Sequence, residues 1–344
     1  MAKIEFRKVS KNFPVKGGKL FQKYFLHAVK EVSFSVEAGH TLALVGESGC
    51  GKTTIARLLM KLHDPSGGQI FVDGKDIWEE KGRKSTWDYR QKIQMIFQDP
   101  FASLNPAYSV GAILSRAVSL HHKDMSSKQV KARVVSLLSL VGLTPPEDFI
   151  SKHPAMLSGG QRQRIVIARA LAVNPSIIVA DEPTSMLDVS IGIDIMNLLL
   201  DLKEKQNLTM VYITHNFPSA RYMADEMAVI YGGTCVEYGK SDDLLANPCH
   251  PYTVLLLNST PEPYRENHPD IYASEEGADL ISGKPQCMFC NRCPKAFDKC
   301  FNTEPPEYIF GDRRIKCYLY ENTKDLKPVV DVNIYTKEAG GHVS

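Results

Sequence analysis

Short apolar runs that each stop at a polar residue set the pattern of this chain: TLALVG before Glu47, IQMIF before Gln98, SIIVA before Asp181 and TMVYIT before His215. Continuous runs of this kind read as strands buried on both faces of a parallel sheet, and open α/β sheets bind ligands beyond the carboxyl ends of their strands. The polar residues are therefore predicted to converge on one sheet edge. A different pattern precedes them. Val32, Phe34 and Val36 alternate with Ser33, Ser35 and Glu37, the period of a half-buried strand. The Lys/Gly-rich stretch KGGKLFQKYF interrupts this first β region. Farther on, QIFVDGKDIW places Asp73-Gly74 between strand-like runs, which predicts a hairpin because both turn residues tolerate positive φ. Antiparallel strands are thus expected on a mostly parallel core.

Between the second and third apolar runs the period changes. SSKQVKARVVSLLSLVGL offers a serine cap at Ser126 or Ser127 and apolar residues Val130, Val134, Leu137, Leu138 and Val141 at helical spacing. Residues from about 100 to 170 read as a helical insertion. After Gly239 the composition shifts toward Pro, Asn and charge, as in NPCHPYT and STPEPYRENHP, which suggests a connector into a separate C-terminal module. The expected division is 1–245, 246–325 and a tail over 326–344.

Composition narrows the class more than it identifies it. At 43% hydrophobic and 23% charged, the 344 residues match an ordinary globular protein. The formal net charge of +2 and the pI of about 8.0 give no basic signature, so nucleic acid is not expected as a partner. MAKIEFRKVS carries no secretory apolar run, and no stretch reaches the ~18 apolar residues of a membrane span. The chain is expected to stay in the cytosol, where eight cysteines argue for metal or catalytic use rather than a disulfide framework. Five of them fall between Cys287 and Cys317.

The chemistry-bearing motifs follow the predicted strand ends. GESGCGKT runs through Gly46, Glu47, Ser48, Gly49, Cys50, Gly51, Lys52 and Thr53, then Thr54 and the helix-like IARLLMKL. Its glycines let backbone N–H groups close around phosphate, the helix start adds positive dipole, Lys52 reaches the outer phosphates, and Thr53 can ligate magnesium. Asp181 is placed to hold the magnesium shell and Glu182 to orient and deprotonate an attacking water. Gln98 can reach magnesium or water, and His215 is a candidate γ-phosphate contact. LSGGQ, ending Ser158-Gly159-Gly160-Gln161, opens a second helix-like run whose first turn carries Arg162 and Arg164. Cations there oppose the helix dipole unless an anion or acidic partner is near, which suggests another phosphate site.

Phosphate loop, Gln98, LSGGQ, IIVADE, Leu187-Asp188 and His215, in that order over about residues 1–245, resemble the ABC ATPase family. The resemblance implies a P-loop NTPase α/β fold with an antiparallel β subdomain and a helical subdomain. It also implies ATP and Mg2+ as ligands and a head-to-tail dimer in which Ser158 and Gly160 complete the partner's ATP site. Asp188 would lie at the dimer seam, and an aromatic near the N-terminus, here Phe13, would stack on adenine. DPFASLNP beside Gln98 is similar to family segments that contact a membrane subunit. Met186 and Asn216 depart from the family pattern, where alanine and aspartate are usual. NPCHPYT followed by Cys287, Cys293, Cys300 and Cys317 resembles the C-terminal extension of oligopeptide/dipeptide importer ATPases, in which four such cysteines can hold an iron-sulfur cluster, expected as 4Fe-4S. Four thiolates also suit zinc, and Cys290 adds a fifth candidate. The implied partners are a second ATPase subunit, copy or relative, two membrane permease subunits and, indirectly, an extracytoplasmic solute-binding protein, with the chain on the cytoplasmic face of the membrane. The alternatives are a non-transport ABC ATPase acting on nucleic acid or ribosomes, and an iron-sulfur redox-regulated ATPase. The cargo class, whether peptide, oligosaccharide or metal, is not legible in these residues.

Overall fold

Alternation along the first strands becomes an antiparallel sheet. The computed structural model describes residues 2–15, 24–79, 82–259, 284–324 and 326–328. Most of the KGGKLFQKYF insert, the STPEPYRENHP connector past Ser259 and nearly all of the tail lie outside the described residues. The strands are β1 (Ala2–Val15), β2 (Tyr24–Glu37), β3 (Thr41–Val45), β4 (Gly67–Val72), β5 (Lys75–Asp76), β6 (Ile93–Ile96), β7 (Ile177–Asp181), β8 (Thr209–Thr214), β9 (Glu226–Tyr231), β10 (Thr234–Lys240), β11 (Tyr308–Phe310) and β12 (Arg313–Ile315). The helices are α1 (Lys52–Leu59), α2 (Arg83–Lys92), α3 (Pro100–Ser103), α4 (Val110–His121), α5 (Ser127–Leu140), α6 (Glu147–Ile150), α7 (Gly159–Leu171), α8 (Val189–Gln206), α9 (Phe217–Met223), α10 (Ser241–Ala246), α11 (Pro251–Ser259) and α12 (Asp298–Asn302).

The smaller sheet has the order β2-β1-β4-β5. Phe6 and Phe34 pair across β1 and β2 with their rings stacked at 4.4 Å. Asp73 and Gly74 both take positive φ, 53° and 74°, and Val72 pairs with Lys75, so the predicted two-residue turn is present.

The larger sheet runs β11-β12-β10-β9-β3-β8-β7-β6. Its centre, β9-β3-β8-β7-β6, is parallel, as the apolar runs predicted. Every residue of β3, β7 and β8 is buried, because both faces are covered. Leu42, Leu44, Val211 and Ile213 pack with α1 and the antiparallel sheet. Met210 and Tyr212 point to the opposite face, into the helical core, while Ala43 and Val45 meet α9 and α11. Successive residues of a strand face opposite sides, and here neither side is solvent.

The stretch between β6 and β7 is helical. Val130, Val134, Leu137, Leu138 and Val141 all enter its core. Ser126, not Ser127, caps α5: its hydroxyl accepts from the Gln129 backbone N–H, and the Gln129 side chain accepts from the Ser126 N–H at 2.8 Å.

The C-terminal segment is not set apart as the sequence suggested. β12 pairs with β10 and β11 with β12, so this segment prolongs the main sheet. Buried Glu237 on β10 is ion-paired to Arg313 on β12 and accepts the N–H groups of Cys249 and His250, each at 2.9 Å. Burial raises its carboxyl above the ordinary value, and Arg313 opposes that shift. A carboxylate so satisfied can remain inside where a bare one could not. Among the described residues, no helix is long and apolar enough to cross a membrane.

Candidate functional site

The phosphate loop spans the gap between the end of β3 at Val45 and the start of α1 at Lys52. Two of its glycines are sterically required. A Cβ on Gly51, at φ 111°, would lie 2.4 Å from the Ala28 carbonyl oxygen, and one on Gly46 would lie 2.2 Å from that of Ile230. Lys52 is 5% exposed, and its ammonium donates to the carbonyls of Gly46 at 2.6 Å and Glu47 at 2.8 Å. The cation therefore sits inside the loop it serves. Cys50 is buried beside it, and burial holds its thiol in the protonated form by raising the pKa.

A cavity of about 390 Å³ opens in front of this loop. Ser48, Gly49, Gly51, Lys52, Thr53 and Thr54 form one wall, and Gln98, Asp181, Glu182 and His215 form the other. The ends of β6, β7 and β8 thus converge as predicted. Asp181 is 8% exposed; burial raises its pKa, and a hydrogen bond with Thr53 works against that. The oxygens of Thr53 and Asp181 suit a hard cation such as magnesium, which takes oxygen donors. Glu182 is held at both carboxylate oxygens, by the Gln98 amide at 3.0 Å and by His215 Nδ1 at 3.1 Å. Its backbone has φ 46°, and its N–H donates to the Ile213 carbonyl at 2.9 Å. A non-glycine residue held in that region is over-determined by its surroundings.

Phe13 lies at the edge of the same cavity with Leu26 and Ala28, its ring edge-on to His63 at 5.3 Å. Glu47 and Cys50, in contrast, do not contribute side chains to the lining. Ser158, Gly159, Gly160 and Gln161 are also absent from it. Ser158 caps α7, its hydroxyl accepting from the Gln161 N–H at 3.3 Å while the Gln161 side chain accepts from the Ser158 N–H at 3.1 Å. Arg162 and Arg164, read from the sequence as marks of a phosphate site, donate instead to the carbonyls of Pro154 and Val141, at 2.7 and 2.6 Å. Asp188 precedes α8 without a side-chain capping bond. It lines a second cavity of about 490 Å³ together with Glu182 and His215.

Cys287, Cys290, Cys293, Cys300 and Cys317 line one small cavity with His250 and Phe289. Burial pushes the thiols of Cys287 and Cys317 up to about 12 and that of Cys293 to about 11. The donors match a soft metal in kind. They do not match one in arrangement: among the described residues no group of three or more His, Cys, Asp or Glu side chains meets metal-site geometry. The iron-sulfur cluster and zinc expected from the sequence therefore gain no support from this arrangement.

Two residues missed in the sequence reach the phosphate loop from the far C-terminal side. Arg292 forks onto both oxygens of Glu47 at 2.7 and 2.9 Å, and the Tyr252 hydroxyl accepts the Glu47 N–H at 2.9 Å. Nothing in local spacing could reveal contacts across 245 and 205 positions.

The ABC transporter family matches residues 29–185, and the oligopeptide/dipeptide transporter C-terminal region matches residues 236–300. The chain is 38% identical to the dipeptide transport ATP-binding protein DppF of Escherichia coli, over 92% of this chain and 94% of that one. It is 41% identical to the oligopeptide transport ATP-binding protein AppF of Bacillus subtilis, over 92% and 97% respectively. Among solved structures, a dimeric ATP-binding cassette in a post-hydrolysis state with ADP and phosphate matches with a TM-score of 0.60 at 30% identity, covering 69% of this chain and 98% of that one. With the phosphate loop, the Asp181-Glu182 strand end and the C-terminal region all in place, the chain belongs to the ATP-binding subunits of ABC transporters, in the branch that carries the oligopeptide/dipeptide transporter C-terminal region.

Proposed function

We propose that this chain binds and hydrolyses MgATP to drive import of a peptide or similar small solute through separate membrane subunits, from the cytoplasmic face of the membrane. The observation that carries the reading is Glu182, fixed between Gln98 and His215 across the cavity from Lys52 and Thr53. The loop N–H groups and the Lys52 ammonium bind the phosphates. Thr53 and Asp181, with Gln98 nearby, would hold magnesium, which would supply charge neutralisation for the phosphates. Glu182 takes a proton from water as the water oxygen bonds to the γ-phosphorus and the bond to the bridging oxygen breaks, releasing ADP. Phe13 stacks on adenine, and His215 contacts the γ-phosphate.

The Ser158-Gly159-Gly160-Gln161 turn serves a second ATPase subunit, copy or relative, in a head-to-tail dimer with Asp188 at the seam. Its absence from the chain's own cavity supports this. Residues 1–245 act as the nucleotide-binding domain, 246–325 as an extension of it and 326–344 as a tail. Cys287, Cys293, Cys300 and Cys317 are further proposed to take a 4Fe-4S cluster, with zinc as the alternative; the thiol donors at one cavity support this in kind, while their arrangement in this structure does not meet metal-site geometry. The names of the relatives favour peptide as cargo.

Reconstitution with the permease and solute-binding proteins tests the whole reading. ATP hydrolysis and peptide uptake should both require this chain. Peptide uptake that proceeds without it, or hydrolysis indifferent to the membrane subunits, would refute it.

A further inference from the structure

Glu47 is fastened at each of its polar groups. Its carbonyl accepts from Lys52 at 2.8 Å, its N–H donates to the Tyr252 hydroxyl at 2.9 Å, and its carboxylate receives the Arg292 fork at 2.7 and 2.9 Å. The first of these bonds cannot persist unchanged when Lys52 turns to phosphate. The other two come from residues beyond the main P-loop core, one on α11 and one in the turn between Cys290 and Cys293. That turn is anchored independently: Phe289 packs against Tyr231 at 5.1 Å and Tyr252 at 5.3 Å, and is 1% exposed. The Arg292 side chain is 15% exposed, beside a Glu47 side chain at 39%.

We propose that Arg292 is a positioning residue for nucleotide binding, holding the phosphate loop in its binding shape through the two-pronged ion pair with Glu47 while Lys52 is engaged by phosphate. The inference rests on the nucleotide-binding reading above. A glycine-rich loop has many conformations open to it once its internal ammonium bonds are withdrawn. A fork from a rigid guanidinium limits them, so less ordering remains to be done when the phosphates arrive. The effect falls on affinity, because neither Arg292 nor Glu47 lines the cavity where hydrolysis occurs.

The alternative role is electrostatic only, with Arg292 cancelling a carboxylate near anionic phosphates. Glu47→Gln separates the two. Positioning predicts that losing the carboxylate weakens binding; simple charge cancellation predicts that it tightens binding. MgADP is titrated into the full-length chain, and KM for MgATP is measured in the reconstituted transporter. Arg292→Gln and Glu47→Gln should each weaken binding and raise KM by about three- to tenfold, the scale of one partly exposed charge-assisted fork. The change in kcat should be smaller. The double variant should be no worse than either single one, since both remove the same link, and Arg292→Lys should recover part of the loss. Unchanged affinity in Arg292→Gln, tighter binding in Glu47→Gln, or losses that add in the double variant would overturn the proposal. If Arg292→Gln melts, Glu47→Gln decides alone. Failure of the unsubstituted chain to bind MgADP would instead overturn the nucleotide-binding reading itself.

Discussion

The Gln98 amide donates to one oxygen of Glu182 at 3.0 Å although the two residues lie 84 positions apart. His215 meets the other oxygen, from the neighbouring strand end. A carboxylate gripped in this way is aimed before substrate arrives, and pre-orientation of the base is what its catalytic use requires. Glu182→Gln should retain MgATP binding, which rests on the loop and Lys52, while hydrolysis slows by about 10²- to 10⁴-fold. Near-native turnover of this variant in the reconstituted transporter would remove Glu182 from the role of base.

Lys52→Ala should act on binding itself. The substitution removes the ammonium that fills the loop and bonds the carbonyls of Gly46 and Glu47, so both the phosphate contact and the loop's internal order are lost. Equilibrium titration with MgATP should give at least a tenfold weaker complex, as expected for one charge-assisted contact to phosphate. Affinity equal to that of the unsubstituted chain would contradict the assignment.

Ser158 tests the dimer. Placing Ser158→Arg on one subunit, with its Lys52 and Glu182 intact, should damage hydrolysis of the ATP bound by the partner rather than its own. The isolated chain should hydrolyse ATP poorly. An active monomer, or a nucleotide-bound dimer with Ser158 remote from the opposite γ-phosphate, would end the composite-site mechanism.

The cysteine cavity gives a spectroscopic prediction. Protein purified without oxygen should be brown and contain iron and sulfide in similar amounts if the cluster assignment is right. Cys293→Ser should bleach or destabilise the centre. A colourless protein with stoichiometric zinc would select the alternative, and a metal-free, fully folded protein would reject both.

His250 makes stability acid-sensitive. It is 1% exposed, its Nδ1 accepts the Tyr252 N–H at 3.1 Å, and burial lowers its pKa from 6.5 to about 3. The unfolded chain therefore binds a proton that the folded chain refuses. Its contribution to stability is complete above pH 6.5 and is lost as pH falls from there toward about 3, by up to roughly 1.4 kcal/mol per pH unit. Melting temperatures at pH 7 and pH 5 should differ more for the native chain than for His250→Asn. Equal differences would show that other groups govern the acid limb.

The local pattern alone pointed to β3, β6, β7 and β8, the Asp73-Gly74 hairpin and the helical stretch before β7, and to the order of the chemistry. Apolar runs named the buried strands because a strand covered on both faces has no polar side to display, and Asp73-Gly74 named its hairpin because few residues accept its positive φ. Glu182, Gln98 and His215 could be nominated because each follows such a run. Their mutual hydrogen bonds were decided by the sheet, which sets β6, β7 and β8 side by side although helices separate them along the chain. Arg162 and Arg164 show what helix-dipole reasoning leaves out: carbonyls from other turns satisfy both cations without a phosphate. The same limit applies to the C-terminal region, where composition suggested a separate body. Tertiary packing instead made its strands part of the main sheet and delivered Arg292 to Glu47. Periodicity reports which face of an element is buried, whereas contacts between distant elements depend on how those faces are stacked, and only the folded chain fixes that stacking.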